Sequence, residues 1–294
     1  MDLPLVSVIM GVYNSESREK LVSSIQSILK QTYKNIEFVI CDDGSTKSFI
    51  SEALENEASK DKRIKLIRND KNHGLAFSLN NCIKHSRGQF IARQDDDDLS
   101  ALDRIEKEVD FLLANERFGF VGTNMWLYDE TGVYGKRDGK QYPDKNGLLF
   151  GVTYFHPTLL FRREVLASVG NYSIDKIIRR TEDYDLYLKF AYKGISGANL
   201  QERLYFYSEN SYTFKKQKFK YRVDEFKLRK RWFKKLGFPF YKRTIALLKP
   251  IISGLTPVKI KKSFREKSER LTDKERIYST RRFSLLLNSI CKKV

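Results

Sequence analysis

The sequence predicts an α/β fold in which helices flank a mainly parallel β-sheet, and three observations support that prediction. Short apolar runs alternate along residues 1–114 with stretches whose apolar residues recur at helical spacing, an alternation typical of parallel sheets. Three of the apolar runs end directly in polar clusters. The positive charge is concentrated in the C-terminal part of the chain. We therefore expect an α/β domain over residues 1–214, with halves of about 1–100 and 101–214, followed by a basic, largely helical region over 215–294.

The predicted elements follow one another regularly. Residues 5–10 and 36–41 are short, almost wholly apolar runs, the pattern of strands that are buried on both faces. Residues 15–30 carry apolar side chains on one helical face and begin with serines that can cap a helix. On the same criteria we expect strand-like runs at 64–67, 90–92, 118–125 and 159–161, helices at 49–58, 75–85, 102–114 and 186–192, and a turn-rich segment at 129–143.

Polar residues follow three of the predicted strands. Tyr13 and Asn14 follow the first strand, Asp42 and Asp43 end the second, and Asp95–Asp98 follow the run at 90–92. Ligands of parallel α/β sheets bind beyond the carboxyl ends of the strands. We therefore expect these three clusters to converge on one edge of one sheet.

The four consecutive carboxylates of Asp95–Asp98 repel one another, and carboxylate oxygens suit hard divalent cations such as Mg²⁺ or Mn²⁺. An acidic run alone is also compatible with a solvated loop, or with Asp98 as the cap of the following helix. The two other polar clusters expected at the same edge favour the cation site.

The composition excludes several classes of protein. The three cysteines show no zinc or disulfide spacing, and Cys41 and Cys82 lie in apolar patterns typical of a core, which fits a reducing cytosol. The N-terminus has no basic segment before its apolar run, so we expect no signal peptide. The longest apolar stretch, 244–258, is interrupted by lysine and proline, so we expect no membrane-spanning helix.

The basic region is the second feature of the chain. Residues 215–294 contain 26 Lys and Arg against 6 Asp and Glu, whereas residues 1–214 contain 29 against 31. Residues 215–235 predict a basic amphipathic helix with Phe219, Val223, Phe226 and Phe233 at helical spacing, suited to an anionic membrane surface. Packing of this apolar stripe on the α/β domain ranks second. Nucleic-acid binding ranks third, because no recognised nucleic-acid fold accompanies the charge.

Seven motif-like segments stand in order along roughly residues 5–210. They are V-S-V-I-M-G-V-Y-N at 6–14, S-I-L-K-Q-T-Y at 27–33, V-I-C-D-D-G-S at 39–45, N-H-G-L-A-F-S-L-N at 72–80, A-R-Q-D-D-D-D-L-S at 92–100, H-P-T-L-L-F-R-R at 156–163 and T-E-D-Y-D-L-Y-L-K at 181–189. Each is a weak signal alone, but the ordered set is specific. Together they resemble glycosyltransferase family 2, whose members have the GT-A fold and use nucleotide-diphospho-sugars.

The resemblance implies roles for the strand-end residues. The D-x-D-type motif maps to Asp95–Asp97, with Asp97 holding the divalent metal and Asp95 and Asp96 contacting metal, ribose or sugar. The Asp at position 96 departs from the small residue that is common there. Asp43 would contact the nucleobase, since a carboxylate suits the imide N–H of uracil. Further nucleotide-sugar contacts are expected from Gly11, Tyr13, Asn14, Gly74 and Arg93.

The T-E-D segment resembles the motif that carries the family's catalytic base, which places the base at Asp183. Sugar transfer with inversion needs a carboxylate that takes the proton of the acceptor hydroxyl. Glu182 and Asp185 would orient the base or contact the acceptor, and His156 would lie near the diphosphate or metal. Helix capping by this acidic segment is the alternative.

By resemblance, the chain is therefore expected to be an inverting glycosyltransferase. It would transfer one sugar, from a UDP-sugar, to a lipid-linked (polyprenyl-diphosphate) oligosaccharide of bacterial surface polysaccharide. We expect it in the cytoplasm, peripheral on the inner face of the plasma membrane, with no specific nucleic-acid partner. Alternatives are a metal-dependent nucleotidyl- or phosphotransferase, and a non-catalytic protein that binds membranes or nucleic acids through its basic region.

Overall fold

Strands and helices alternate along the first half of the chain. The computed structural model describes residues 3–209, 219–257 and 268–290. The strands in these ranges are β1 (Val6–Val12), β2 (Ile36–Asp42), β3 (Ile64–Arg68), β4 (Phe90–Arg93), β5 (Leu99–Ser100), β6 (Phe118–Asp129), β7 (Gly132–Arg137), β8 (Leu160–Arg162) and β9 (Ser196–Ser208). The α-helices are α1 (Arg18–Leu29), α2 (Ser48–Lys60), α3 (Leu75–His85), α4 (Arg104–Ala114), α5 (Arg163–Ser168), α6 (Glu182–Tyr192), α7 (Phe219–Lys235), α8 (Phe240–Leu255) and α9 (Asp273–Ile290).

All these strands join one sheet in the order β3-β2-β1-β4-β8-β6-β9-β5, with β7 paired to β6. The strands β3, β2, β1 and β4 are mutually parallel. Beyond them β8 runs antiparallel to β4 and β6, while β6 and β9 are parallel over most of their length. The predicted α/β fold with a mainly parallel sheet and flanking helices is confirmed.

Burial explains the local structure of the parallel half. Every residue of β2 is buried, as expected for an apolar run covered by helices on both faces. Helix α1 begins where the Ser17 hydroxyl accepts a 3.2 Å hydrogen bond from the Lys20 backbone N–H. Its fully buried Leu21, Ile25 and Ile28 pack in the core cluster that contains β1 and β2.

Two elements differ from the prediction. The segment 129–143 is not only turns, because β7 forms a hairpin with the end of the long strand β6. Helix α6 begins at Glu182, four residues before the predicted start. The partner of β7 is the strand immediately before it, and the first turn of α6 carries acidic residues that suit a helix N-terminus.

Asp98 does not cap the helix that follows it, because α4 starts only after Asp103. The Asp98 side chain is buried, and one of its oxygens accepts a 2.7 Å hydrogen bond from the Ser208 backbone N–H at the end of β9. Burial and then the charge of Asp97 raise its pKa well above the usual range. Asp98 therefore attaches the end of the acidic run, next to β5, to the end of β9.

The C-terminal helices pack on the α/β region. Leu228 and Phe233 of α7 are buried in the same cluster as Leu186 and Tyr187 of α6, so part of the predicted amphipathic stripe faces the protein rather than solvent. Leu286 and Ile290 of α9 lie in a second cluster with Trp126. The predicted boundary near residue 214 falls within 210–218, outside the described residues, as do residues 258–267.

Several weaker expectations are also settled by burial. Trp126 and Tyr154, whose rings could stack on a sugar only if they were exposed, are buried in the core. Cys41 and Cys82 are buried free thiols, whereas Cys291 lies outside the described residues. In the ranges that the structure describes, no helix combines the length and apolar character needed to cross a bilayer.

Candidate active site

The polar clusters that follow β1 and β2 meet at the carboxyl edge of the sheet. Val12 at the end of β1 lies opposite Asp42 at the end of β2, and the Asp43 N–H donates a 2.8 Å hydrogen bond to the Val12 carbonyl. The Asn14 side-chain oxygen accepts hydrogen bonds from the Thr46 and Lys47 backbone N–H groups, at 3.0 and 3.3 Å. Asn14, which is predicted to contact the nucleotide-sugar, thus connects the loop after β1 to the loop after β2.

A cavity of about 590 Å³ opens beside these strand ends. Gly11, Tyr13, Asp43 and Gly74 lie on one wall, and residues 173–176, 178–180 and 182 form the other. A Cβ at position 11 would lie 3.2 Å from the Leu75 side chain, so glycine lets the strand and α3 approach closely. Gly74 has φ +97°, a conformation that favours glycine, and α3 begins directly after it.

Asp43 is the centre of a hydrogen-bond network that shapes this wall. One of its oxygens accepts from the Asn69 side chain (2.7 Å) and the His73 N–H (3.0 Å). The other accepts from the Asn72 side chain (3.0 Å) and the Gly74 N–H (2.8 Å). Because each oxygen already accepts two hydrogen bonds, a nucleobase imide would replace one of the side-chain amides.

The acidic run lies between this cavity edge and the long strands β6 and β9. Burial, followed by repulsion from Asp96 and Asp95, raises the pKa of Asp97 to about 8. Burial and the Asp95 charge raise the pKa of Asp96 to about 6, although the Ser15 hydroxyl donates a hydrogen bond to it. Carboxylates crowded in this way are stabilised by a cation, so their chemistry fits a divalent metal.

The carboxylates would not enclose a metal by themselves. Within the described ranges, no three His, Cys, Asp or Glu side chains converge on a point where they would hold an ion. Mg²⁺ and similar ions commonly use one or two carboxylates and complete their shell with substrate phosphates and water. The donor set present therefore fits a metal that is bound together with a diphosphate.

Buried polar side chains fix the backbone of the acidic run, and the sequence analysis did not single them out. The Gln94 amide donates to the carbonyls of Asp95 and Asp98 at 3.2 and 2.9 Å. The Tyr128 hydroxyl donates to the Asp97 carbonyl at 2.9 Å, and the Asp95 N–H donates to the Tyr205 hydroxyl at 3.2 Å. Gln94 stands between Arg93 and the acidic run, which is a local signal, whereas the sequence around the two tyrosines gives no such signal.

Arg93 connects the acidic run to the T-E-D segment. Its side chain is 1% exposed and forms a 2.6 Å ion pair with Asp95. Its positive charge partly offsets the rise in the pKa values of Asp96 and Glu182, which lie 86 positions apart in the chain. The fold thus brings the predicted metal motif and the predicted base motif within the electrostatic reach of one guanidinium group.

His156 lies in the same region but is enclosed. Its side chain is buried, and its Nε2 lies 2.9 Å from the Tyr172 hydroxyl. Burial and the nearby Arg93 charge lower its pKa well below the usual range. A buried, neutral imidazole in contact with a tyrosine supports the shape of the site.

Asp183 has the acid–base character expected of a general base. It lies in the first turn of α6, where its carboxylate accepts a 2.7 Å hydrogen bond from the Tyr184 N–H. Burial, followed by repulsion from Glu182, raises its pKa to about 7. Glu182 borders the cavity, and burial raises its pKa as well. A carboxylate that titrates near neutrality is suited to exchange protons with a substrate.

Asp185 is not among the residues that line the cavity. It is buried, and its two oxygens accept hydrogen bonds from the Trp232 indole N–H (2.8 Å) and the Ser173 hydroxyl (2.6 Å). Its position fits the predicted orienting role better than the predicted acceptor contact, because it fastens α7 and residue 173 to the base-bearing helix.

Comparison with known proteins agrees with this geometry. The profile of the family described as glycosyl transferase family 2 matches residues 7–170. The chain is 44% identical over 208 residues to EpsE of Bacillus subtilis (strain 168), covering 71% of this chain and 74% of EpsE. It is 34% identical over 188 residues to the Escherichia coli UDP-Glc:alpha-D-GlcNAc-diphosphoundecaprenol beta-1,3-glucosyltransferase WfgD, covering 64% and 70% of the two chains.

Solved structures share the fold at low sequence identity. The S. aureus TarS 1-349 structure in complex with UDP-GlcNAc has a TM-score of 0.65 at 16% identity, covering 97% of this chain and 81% of that chain. The mannosyltransferase PcManGT from Pyrobaculum calidifontis, in complex with GDP-Man and Mn2+, has a TM-score of 0.62 at 16% identity, covering 98% and 86%. The chain therefore belongs to glycosyltransferase family 2, has the GT-A fold of that family and is a glycosyltransferase.

Proposed function

We propose that this glycosyltransferase inverts the configuration of the sugar it transfers and that Asp183 is its general base. The observation that carries the proposal is the half-buried carboxylate of Asp183, whose pKa is raised to about 7 by burial and by the neighbouring Glu182, a residue that lines the cavity. A carboxylate of this kind is ionised at the upper end of the physiological pH range and is basic enough to accept a hydroxyl proton.

The proposed step is a single displacement at the anomeric carbon. The acceptor hydroxyl oxygen attacks that carbon as its proton passes to an Asp183 oxygen, and the bond between the carbon and the diphosphate oxygen breaks on the opposite face. The nucleoside diphosphate leaves with the electron pair of that bond. Tyr184 donates its N–H to Asp183 and holds the carboxylate in place at the start of α6.

A divalent cation, Mn²⁺ or Mg²⁺, is part of the proposal, with Asp97 and Asp95 as its protein ligands. When bound, such an ion neutralises negative charge on the diphosphate. Asp96 is held by Ser15, and Asp95 by Arg93, so both carboxylates are oriented before any ligand binds. The hydrogen bonds from Gln94 and Tyr128 to the backbone of the acidic run also help to orient its carboxylates.

The donor is proposed to be a UDP-sugar that occupies the cavity at Gly11, Tyr13, Asp43 and Gly74. Tyr13 is 48% exposed at this wall and is free to stack on the base. WfgD is named for UDP-glucose, and the TarS structure contains UDP-GlcNAc, whereas PcManGT contains GDP-mannose. A comparison of UDP with GDP therefore belongs in any binding experiment.

The acceptor is proposed to be a lipid-linked oligosaccharide of bacterial surface polysaccharide, presented at the cytoplasmic face of the membrane. WfgD is named for a diphosphoundecaprenol acceptor. In this chain, α8 carries one continuous apolar face of exposed side chains: Tyr241 (63%), Ile245 (63%), Leu248 (51%), Ile252 (61%) and Leu255 (72%). Their spacing of three and four residues places them along one side of the helix.

The charge of this region also supports contact between α8 and a membrane. Residues 219–257 contain 11 Lys and Arg against 2 Asp and Glu, and α8 contains no acidic residue. An apolar helical face flanked by cations is suited to the interface of an anionic bilayer. We therefore assign the membrane contact to α8 and not to α7, whose Leu228 and Phe233 are buried against the α/β region.

The test of the enzymatic proposal is metal-dependent nucleotide binding coupled to sugar transfer. Binding of UDP and GDP is measured by calorimetry with Mn²⁺ or with EDTA, for the wild type and for Asp97→Ala. We expect saturable UDP binding that EDTA abolishes and that Asp97→Ala weakens at least about tenfold. Binding that is equally strong in EDTA would contradict the metal assignment, and preferential GDP binding would contradict the proposed donor.

A further inference from the structure

The wall of the donor cavity that faces Asp43 carries unpaired positive charge that the proposed mechanism does not use. Lys176, Arg179 and Arg180 line the cavity and are exposed. Within the described part of the chain, none of the three forms an ion pair within 4.0 Å. Arg179 donates a 3.4 Å hydrogen bond to the Asn72 side-chain oxygen on the opposite wall.

The segment that carries these cations is fixed to its surroundings. Asp175 accepts a 3.3 Å hydrogen bond from the Ile177 N–H and forms a 3.0 Å ion pair with Arg231 of α7. The Thr181 N–H donates to the Ile178 carbonyl at 2.7 Å, and the Ile178 side chain is buried. The backbone is therefore held in place while the cationic side chains remain available.

Arg180 itself has an unusual backbone. Its φ is +74°, in the left-handed region that a residue with a Cβ rarely adopts. Its charge partly offsets the rise in the pKa of the nearby Glu182 carboxyl. A strained conformation directly before the base-bearing helix is retained only where the surrounding structure fixes it, and such residues concentrate at functional sites.

The site also needs positive charge from this wall. A departing nucleoside diphosphate carries several negative charges, while the carboxylates of Asp95 and Asp97 already offset the charge of a divalent ion. Arg93 is fully buried and paired with Asp95. All the Lys and Arg residues among the described residues that line the cavity are on this wall: Lys176, Arg179 and Arg180.

We propose that Arg180, assisted by Lys176, is a diphosphate-binding clamp on the wall opposite Asp43. The inference rests on the proposed function, because it assumes that a nucleoside diphosphate occupies this cavity. The guanidinium group of Arg180 binds phosphate oxygens through its forked N–H donors, and Lys176 adds a second positive charge. The diphosphate belongs either to the donor or to the lipid-linked acceptor.

The test uses Arg180→Gly, because glycine keeps the backbone conformation and removes the charge. Binding of UDP and of uridine is measured with Mn²⁺, together with Tm. We expect UDP affinity to fall by about 10- to 100-fold and uridine affinity to stay unchanged. Glycine adopts the positive φ without strain, so Tm should rise by about 2–4 °C. The matched control, Lys193→Gln, removes one exposed charge at the far end of α6 and should alter neither affinity.

The UDP affinity, together with the KM for a lipid-linked acceptor, identifies the source of the diphosphate. A loss of UDP affinity in Arg180→Gly assigns the clamp to the donor. Unchanged UDP affinity with a raised KM for a lipid-diphosphate-linked acceptor assigns it to the acceptor. Unchanged values for both ligands would overturn the proposal, as would equal losses for UDP and uridine accompanied by a lower Tm.

The proposed function and the clamp can fail separately. If the wild type binds neither UDP nor uridine, the proposed donor is wrong, and binding of inorganic pyrophosphate with Mn²⁺ then tests the clamp alone. Weaker pyrophosphate binding in Arg180→Gly than in the wild type and in Lys193→Gln would still support it. Equal pyrophosphate binding in all three proteins would refute it.

Discussion

The pH dependence of sugar transfer is the most direct consequence of the environment of Asp183. Burial and repulsion from Glu182 raise the pKa of this carboxyl to about 7. A general base acts in its ionised form, so activity should rise with pH through this value and level off above it. With a pKa of about 7, the ionised fraction is about one tenth at pH 6 and about nine tenths at pH 8.

Substitution of Glu182 tests the direction in which this residue shifts the pKa of Asp183. Glu182→Gln removes the repulsion that is the second largest cause of the raised pKa, while burial remains. The ionised form of Asp183 becomes easier to reach, so the acid limb should move to lower pH, by up to about one unit or 1.4 kcal/mol. Asp183→Asn should lower kcat by about 10²- to 10⁴-fold and leave donor binding largely intact.

The assay is initial-rate transfer between pH 5.5 and 8.5 at saturating donor, with Tm recorded at each pH. Asp110→Asn, which changes an exposed carboxylate on α4, is the matched control and should follow the wild-type profile. A flat profile across pH 7, an acid limb that Glu182→Gln moves upward, or near-normal turnover in Asp183→Asn would refute the assignment of the base.

Two further predictions concern the C-terminal helices. Trp232→Phe removes the indole N–H that donates to the buried Asp185. It should lower the free energy of unfolding by about 1–3 kcal/mol, measured by urea denaturation. Lys230→Gln, which changes an exposed residue of the same helix, should have little effect, and an unchanged Trp232→Phe midpoint would contradict this docking role. The double variant Ile245→Ser, Ile252→Ser should bind anionic phosphatidylglycerol vesicles at least about tenfold more weakly in co-sedimentation. Its turnover on a short-chain acceptor should be retained. Undiminished vesicle binding would exclude α8 as the membrane contact.

Local patterns were sufficient wherever one segment determines its own structure. The apolar runs that became β1 and β2 and the serine that caps α1 act through their immediate neighbours in sequence. The same holds for the convergence of Tyr13, Asp43 and the acidic run, because carboxyl ends of parallel strands necessarily share an edge. The family resemblance added the assignment of Asp183, whose role stays a proposal.

Contacts between distant segments account for what the sequence did not predict. The charge of Arg93 acts on Glu182, and Asp185 accepts a hydrogen bond from Trp232 of α7, although the local sequence indicates neither of these distant partners. The sequence showed that the C-terminal region is basic and amphipathic. Which apolar face is buried depends on the surfaces available in the folded chain, so only the tertiary structure distinguishes the packed face of α7 from the exposed face of α8.

The sequence by itself determined the α/β class, the edge of the sheet that carries the site and the asymmetric distribution of charge. Each follows from periodicity or composition, which act over a few residues or over a whole region. The tertiary structure alone decided the pKa values of Asp97 and Asp183, the enclosure of His156 and the cationic wall at Arg180. These properties depend on burial and on charges from remote parts of the chain, and burial is a property of the folded molecule.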